Sequence, residues 1–312
     1  MIVLALPDAR HLGLARLLGT MGGFVAVHRF PDGESRVTLP TSVAGRDVVL
    51  VANLTPPDQC VLPLVFAAAT ARDLGASSVG LVAPYLPYMR QDHPFEPGQG
   101  VSARHFAALL SHAVDWLVTV DPHLHRIRSL SDIFAIPATT VHTAPLLAAW
   151  IREHVTAPVI LGPDSESRQW AASVAELAKA PFAVFAKRRT GDRHVALRVP
   201  DLREYRGRQP VLLDDVIASG ATMSTAILAL RRAHQAAPIC MAIHGIFAGE
   251  AFEMLQDAGA AAVVTTNTIR HPSNAIDVAP LLAAAVQSRG FFPSASPFLQ
   301  DGGRMMDARP QQ

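Results

Sequence analysis

The chain has 312 residues, of which 50% are apolar, and its formal net charge is +1 at pH 7. This length allows two domains with separate cores. A charge so close to zero argues against a general nucleic-acid-binding protein, and no apolar run reaches the roughly 20 residues of a membrane span. The two cysteines, Cys60 and Cys240, lie in apolar surroundings, which favours a reducing cytoplasm over disulfides or zinc sites.

Short apolar runs alternate with longer amphipathic runs along most of the chain. The apolar runs predict strands at 2–6, 24–30, 47–52, 78–83, 116–121, 158–162, 182–187, 194–199, 210–214, 239–247 and 262–266. The amphipathic runs predict helices at 8–19, 58–75, 102–113, 142–154, 166–178, 219–235, 249–257 and 277–288. Strands that alternate with helices of this length indicate parallel sheets covered on both faces. We therefore predict an α/β fold.

The two halves of the chain are alike in outline, because each has several βα units and a turn rich in Gly, Pro and Asp after a strand. We predict two similar doubly wound parallel-sheet domains, at 1–145 and 146–288. Residues 289–312 have few branched side chains and predict an extended or disordered tail. The chain begins with a predicted strand and lacks the basic region and cleavage site of a signal peptide.

The segment at 210–222 carries the strongest functional signal. A buried strand leads into Asp214 and Asp215, which can accept hydrogen bonds from the two vicinal hydroxyls of a ribose. Small residues then open a helix, where backbone N–H groups and the helix dipole favour a phosphate. These residues are Ala218, Ser219, Gly220, Ala221 and Thr222. The alternative is an ordinary turn with a capping serine and a solvent-facing acidic pair.

This segment resembles the phosphoribosyl-diphosphate loop of type I phosphoribosyltransferases and of ribose-phosphate diphosphokinases (PRPP synthetases). Five more segments resemble motifs of the synthetases and keep their order: Phe30-Pro-Asp-Gly-Glu34, Tyr85-Leu-Pro-Tyr-Met-Arg-Gln-Asp92, Val120-Asp-Pro-His123, Gly162-Pro-Asp164 and Lys187-Arg-Arg189. The resemblance extends over most of the predicted folded chain. It implies that both domains have the type I phosphoribosyltransferase fold.

The resemblance implies that the enzyme transfers the β,γ-diphosphate of ATP to O1 of ribose 5-phosphate, giving 5-phosphoribosyl 1-diphosphate and AMP. Such a transfer needs positioning and cations around the phosphates. The implied catalytic residues are Lys187 and Arg189, and the implied Mg²⁺ ligands are His123 and Asp164. The implied ATP-binding residues are Phe30, Asp32, Glu34, Arg90, Gln91 and Asp92, of which the first three come from a neighbouring subunit of a homo-oligomer.

Several of these segments also have a purely structural interpretation. Residues 187–189 alone would be a solvated basic turn, and residues 30–34 alone would be a tight Asp-Gly turn. A histidine after a strand, such as His123, is more often a capping or core residue. Asp164 has independent support, because it ends a strand at the sheet edge where α/β folds bind ligands.

Three departures from the family pattern predict a divergent member. Ser165-Glu166-Ser167 replaces a pair of glycines, Ala218 stands where an acidic residue is common, and Glu96 lies in a loop that is basic in phosphate-activated members. We therefore expect no allosteric control by phosphate or ADP. The alternative functions are a phosphoribosyltransferase that consumes the diphosphate and a non-catalytic partner of a true synthetase. The first alternative leaves the segments at 90–92 and 187–189 unexplained, and the presence of both Lys187 and Arg189 argues against the second.

Overall fold

Two parallel β-sheets of six strands each form the frame of the protein. The computed structural model describes residues 1–189 and 195–291, with the backbone alone at 187–189, 195–198 and 290–291. The strands of the first half are β1 (Ile2–Ala5), β2 (Met21–Phe24), β3 (Ala26–Arg29), β4 (Ser35–Thr38), β5 (Asp47–Val51), β6 (Ser78–Ala83), β7 (Trp116–Val120) and β8 (Ala138–Val141). Those of the second half are β9 (Pro158–Gly162), β10 (Phe182–Val184), β11 (Ala186–Arg189), β12 (Val195–Arg198), β13 (Gln209–Ile217), β14 (Ile239–Gly245), β15 (Ala262–Thr266) and β16 (Asn274–Ile276).

The two sheets have the same connection order. The first runs β2-β1-β5-β6-β7-β8 and the second runs β10-β9-β13-β14-β15-β16, with all neighbouring strands parallel. In each half an antiparallel hairpin, β3–β4 or β11–β12, is inserted between the second and third strands of the sheet. Their central strands are buried aliphatic runs, as sheets covered on both faces require. The predicted α/β fold is confirmed.

The helices cover the sheets and also connect the two halves. They are α1 (Leu14–Leu17), α2 (Pro57–Asp73), α3 (Ser102–Ala113), α4 (Ala144–His154), α5 (Arg168–Ala178), α6 (Ala221–Arg232), α7 (Ala251–Ala258) and α8 (Ala279–Val286). Short 3₁₀ turns lie at Pro7–Leu12, Leu130–Asp132 and Arg203–Tyr205, and a π-helical turn lies at Gln287–Phe291. Within the described ranges, no helix is long and apolar enough to cross a membrane.

The last helix of each half packs against the other half. Helix α4 follows β8 but packs on α5 and β16, while α8 follows β16 but packs on α1, β7 and β8. One hydrophobic cluster therefore extends through both halves and includes Val118, Leu147, Ile160, Ile243 and Leu282. Two further clusters lie one in each half. The boundaries 1–145, 146–288 and 289–312 stay predictions.

Several elements differ from the predicted ones. The predicted helix 8–19 is a 3₁₀ turn and one α-helical turn, because Gly13 between them adopts the left-handed conformation (φ 57°). The predicted strand 24–30 is divided between β2, which joins the first sheet, and β3, which belongs to a hairpin. Strands β4, β8 and β16 were not predicted. Each has only three or four residues, and many of these residues are half-exposed.

Candidate active site

Residues from both halves line one cleft at the carboxyl ends of the parallel strands. Arg90 follows β6 and His123 follows β7, whereas Asp164 follows β9. The rest of the lining comes from Glu166 and from residues 214–223, where β13 passes into α6. Parallel sheets bind ligands at this edge, because the strand ends present their loops and helix N-termini there.

The 214–222 loop combines a strand end with the start of a helix. Strand β13 is longer than predicted and includes Asp214 and Asp215 before it ends at Ile217. Helix α6 begins at Ala221, and its N-cap Gly220 has a φ of 73°. A Cβ at Gly220 would lie 3.1 Å from the carbonyl oxygen of Ala251, so the backbone angle favours glycine and the close approach disfavours a larger residue. The first N–H groups of α6 have no intrahelical acceptor and are suited to a phosphate.

The two adjacent carboxyl groups, Asp214 and Asp215, differ in acidity. Burial, and then the negative charges of Asp215 and Asp164, raise the pKa of Asp214 well above its ordinary value. Burial opposes the ionisation of Asp215 as well, but the hydrogen bond and charge of His123 outweigh it and lower the pKa of Asp215. The two neighbouring carboxyl groups thus have pKa values shifted in opposite directions, and each can hydrogen-bond to a sugar hydroxyl.

His123 is held by a direct contact with the second half. Its Nδ1 lies 2.5 Å from Oδ2 of Asp215. Burial opposes its protonation, but the hydrogen bond and charge of Asp215 raise the pKa of His123. In the neutral tautomer with the proton on Nδ1, which donates to the carboxylate, the lone pair of Nε2 is left for a ligand, as in the carboxylate–histidine pairs of metal sites.

Asp164 is nine-tenths buried and organises the turn after β9. Its Oδ1 accepts hydrogen bonds from the backbone N–H groups of Glu166 (3.0 Å) and Ser167 (3.3 Å). Among the described residues, no three His, Cys, Asp or Glu side chains form a metal-binding group. His123 and Asp164 could thus supply two ligands at most. This fits Mg²⁺, which keeps several of its waters, better than it fits a fully protein-bound metal.

Of the three residues predicted at 90–92, only Arg90 lines the cleft. The Gln91 backbone N–H donates to the carbonyl of Tyr88. Asp92 is buried and its carboxylate accepts from the backbone N–H and Nη1 of Arg126 (2.9 and 3.1 Å) and from Nδ1 of His93 (2.8 Å). Burial raises its pKa, but these hydrogen bonds outweigh burial and lower the pKa of Asp92. Its carboxylate thus anchors the segment after His123.

Comparisons with known proteins match both halves. The family model for the N-terminal domain of ribose phosphate pyrophosphokinase matches residues 7–113, and the phosphoribosyl transferase domain model matches residues 129–280. The ribose-phosphate pyrophosphokinase of Halobacterium salinarum is 37% identical over 274 residues, which are 88% of this chain and 95% of the relative. The chain belongs to the ribose-phosphate pyrophosphokinase family. The predicted resemblance and the predicted enzyme class are therefore confirmed.

Two further relatives support the assignment of this chain to the pyrophosphokinase family. The ribose-phosphate pyrophosphokinase of Methanopyrus kandleri is 34% identical and covers 92% of this chain and 99% of its own length. The crystal structure of phosphoribosylpyrophosphate synthetase from Mycobacterium smegmatis superposes with a TM-score of 0.80 at 27% identity, over 92% of this chain and 98% of that one. The likeness therefore extends through both sheets.

In this member of the family, residues 30–34 do not line the cleft. They form the tip of the β3–β4 hairpin, where Phe30 is 37% exposed and Asp32 and Glu34 are exposed. The guanidinium of Arg36 lies 5.6 Å from the centre of the Phe30 ring, and Asp32 Oδ1 accepts from the backbone N–H of Glu34. The tip thus presents an aromatic ring and two carboxylates to solvent in the single chain.

Lys187 and Arg189 lie in the other hairpin of the pyrophosphokinase fold. Their backbone belongs to β11, where Lys187 is aligned with Leu197 and Arg189 with Val195. Their side chains are outside the described part of the structure.

The sequence predictions did not include Glu166 or His244 among the site residues. Glu166 lines the cleft beside Asp164, and only its position after the predicted strand 158–162 could have indicated this. His244 is buried at the end of β14. A polar residue at the carboxyl end of a predicted aliphatic strand was the available signal for it.

Proposed function

We propose that this chain is a ribose-phosphate diphosphokinase, which transfers the β,γ-diphosphate of ATP to O1 of ribose 5-phosphate and releases 5-phosphoribosyl 1-diphosphate and AMP. The observation that carries the proposal is the single cleft that holds Arg90 and His123 beside Asp164 and residues 214–223. Groups suited to a nucleotide phosphate and groups suited to a sugar phosphate face the same space. An in-line transfer needs both substrates in that arrangement.

The ribose 5-phosphate site is assigned to the 214–222 loop. The 5-phosphate would accept hydrogen bonds from the backbone N–H groups of residues 218–222 and from the hydroxyls of Ser219 and Thr222, at the positive end of the α6 dipole. The sugar hydroxyls would lie against Asp214 and Asp215. Ala218 adds no charge to this site, so the acidic pair is its only anionic contact within the 214–222 loop.

The ATP site is assigned to Arg90, with Gln91 and Asp92 as further contacts to the nucleotide. Arg90 would contact the phosphates, for which a guanidinium is well suited. Phe30, Asp32 and Glu34 would bind the adenine of a neighbouring subunit, because they point into solvent and lie away from their own cleft. This assignment requires a homo-oligomer of at least two subunits.

A magnesium ion is assigned to His123 and Asp164. Bound there, Mg²⁺ would neutralise charge on the diphosphate during its transfer. Lys187 and Arg189 are assigned the catalytic role of stabilising the charge that develops on the transferred group. A mobile ammonium and a planar guanidinium are both suited to that role.

The proposal also includes a cytoplasmic location and the predicted division into units 1–145 and 146–288 with a tail at 289–312. Both cysteines are free, and burial raises the pKa of the Cys240 thiol to about 12. Such a thiol is unreactive, which agrees with a protein that does not use disulfides.

Phosphorus NMR of the purified protein with ATP, Mg²⁺ and ribose 5-phosphate tests the reaction directly. We expect AMP and 5-phosphoribosyl 1-diphosphate to form together, and neither to form without ribose 5-phosphate. A reaction that occurs only with 5-phosphoribosyl 1-diphosphate and a base would instead establish a phosphoribosyltransferase. No product under either condition would leave the non-catalytic alternative. Glu96 lies in a loop that is basic in the phosphate-activated members of the family. Added phosphate or ADP should therefore change the rate only by simple competition.

A further inference from the structure

A buried histidine connects the two halves directly behind the cleft. His244 is 1% exposed and lies at the end of β14, where it is aligned with Val216 of β13. Its Nε2 lies 3.2 Å from the carbonyl oxygen of Asp121, at the end of β7 in the other sheet. Its Nδ1 lies 2.9 Å from Oγ1 of Thr268.

The hydrogen-bonding roles of His244 follow from its partners. A carbonyl oxygen only accepts, so Nε2 carries the proton and donates to Asp121. Burial lowers the pKa of His244 and so favours the neutral ring, in which Nδ1 is an acceptor for the hydroxyl of Thr268; this hydroxyl also lies 3.1 Å from the carbonyl oxygen of Ile243. The Tyr85 ring packs on the imidazole with a centroid distance of 5.0 Å, so the orientation of the ring is fixed from a third side.

The residue that receives this hydrogen bond has a strained backbone. Asp121 has a φ of 32°, in the left-handed region, and its side chain is fully buried. The carboxylate accepts from Nδ1 of His142 (2.8 Å) and from the N–H and hydroxyl of Thr143 (2.8 and 2.5 Å). These contacts lie within the first half. The hydrogen bond from His244 holds the same turn against the second half.

Two hydrogen bonds therefore fasten the 121–123 turn to neighbouring strands of the second sheet. One runs from His244 on β14 to the Asp121 carbonyl, and the other joins His123 to Asp215 on β13. Only Pro122 separates the two attachment points in the turn. A shift at Asp121 must therefore be transmitted to His123, which lines the cleft.

We propose that His244 is a positioning residue for the transfer reaction, which acts through the Asp121 carbonyl to set the position of His123 in the cleft. The proposal rests on the proposed function for its kinetic part. It predicts that the transfer step depends on His244 while ribose 5-phosphate binding does not, since the phosphate donors at 218–222 are positioned by the backbone of β13 and α6 and not by the His244 side chain. Misplacement of a reacting group by about 1 Å can reduce turnover by about 100-fold.

The variants His244→Phe and His244→Gln separate this role from simple packing. Phenylalanine keeps a buried ring but removes both hydrogen bonds, whereas the glutamine amide can again donate to Asp121. We expect kcat of His244→Phe to fall by about 10- to 100-fold with an unchanged KM for ribose 5-phosphate. We expect kcat of His244→Gln to be closer to that of the unaltered protein. His271→Phe, which removes a half-buried histidine bonded to Ser273 in the same half, is the matched control.

A spectroscopic measurement tests the proposal independently of activity. In the full-length protein labelled with ¹⁵N-histidine, we expect the His123 ring signals to shift in His244→Phe, to return in His244→Gln, and to stay unchanged in His271→Phe. All variants are compared well below their melting temperatures. Unchanged His123 signals in a folded His244→Phe protein would overturn the proposal, as would unchanged kcat. An unaltered protein that makes no AMP would overturn the proposed function and not the contact.

Discussion

The loops after β5 and β13 occupy equivalent places, because each follows the third strand of a sheet with the same connection order. After β13 come an acidic pair and the small residues that open α6 at Gly220. After β5 come Ala52, Asn53 and Leu54, which are buried. The fold is therefore the same at both places, and the side chains are not.

The starts of the two helices explain why only one loop is suited to a phosphate. Helix α2 begins at Pro57 after Pro56, and a proline has no N–H to donate. Asp58 adds a negative charge to its first turn. Helix α6 keeps its N–H groups and has no acidic residue in its first turn. The comparison teaches that the topology supplies a place for a ligand, while donors and charge at the helix start decide whether one binds.

The two hairpins inserted at equivalent positions extend this comparison and give the largest expected effect. The β11–β12 hairpin carries the proposed catalytic cations, while the β3–β4 hairpin carries the proposed adenine contacts. We expect Lys187→Ala combined with Arg189→Ala to reduce kcat by about 1,000-fold or more, because each cation is proposed to stabilise the transferred group. Ribose 5-phosphate binding, measured by calorimetry, should survive.

Arg203→Ala is the control for this double variant, because it removes an exposed cation of the same half that is paired with Asp201. It should leave kcat unchanged. Loss of ribose 5-phosphate binding in the double variant would contradict the separation of binding from catalysis.

A substitution at Gly220 should weaken phosphate binding by the 214–222 loop. The altered loop would then resemble the loop after β5, which is not suited to a phosphate. In Gly220→Ala, the new Cβ meets the Ala251 carbonyl at 3.1 Å in a backbone conformation that disfavours alanine. A strain of about 1–3 kcal/mol should displace the loop and raise the KM for ribose 5-phosphate by about 10-fold. Steady-state kinetics with saturating ATP measures this change.

Gly207→Ala is matched to Gly220→Ala, because Gly207 also has a positive φ (78°) but nothing lies within 4 Å of its Cβ position. It should lower the melting temperature without changing this KM. An equal rise of KM in both variants would show that general destabilisation, and not the loop, is responsible.

The smallest effect is expected for a substitution of Asp92. In this part of the first half, hydrogen bonds to a side chain, and not a helix N-terminus, position the residues near the cleft. Asp92→Asn weakens the hydrogen bonds from Arg126 and His93, which should cost about 1–3 kcal/mol of unfolding free energy. Because the folded pKa of Asp92 is lowered, this contribution is present above its ordinary pKa and is lost as the pH falls through the folded pKa. Urea unfolding at neutral and acidic pH measures it.

The exposed Asp132 accepts from the backbone N–H groups of Arg128 and Ser129, so Asp132→Asn is a control for loss of a carboxylate in the same segment. It should destabilise the protein less. A stability difference between Asp92→Asn and the unaltered protein that does not shrink on acidification would argue against an ionised Asp92.

The sequence was sufficient to predict the parallel sheets and to predict that several site residues lie close together. The reason is that the carboxyl ends of parallel strands share one edge of a sheet. The aliphatic runs predicted most of the strands that carry cleft residues, and motifs at Arg90, His123, Asp164 and 214–222 meet in one cleft. The short strand β8 could not be predicted, because its order depends on pairing with β7 and not on local composition.

Roles that depend on tertiary contacts were also beyond sequence reasoning. Asp92 was predicted to contact ATP, and that remains a proposal. The structure shows its carboxylate bonded to Arg126, which is 34 positions later in the chain. The contact between His244 and Asp121 spans 123 positions and involves a backbone carbonyl, which no residue pattern reports.

The exchange of α4 and α8 between the halves has a consequence for how the protein unfolds. A fragment cut after residue 145 would lack α8 and would expose the apolar faces of β7 and β8 that this helix covers. The complementary fragment would keep α8 but would lack α1, β7 and β8, on which this helix packs. Neither half closes its own core, so the chain should lose its structure in a single cooperative transition, and hydrogen exchange should be slowest in the strands beneath the two exchanged helices.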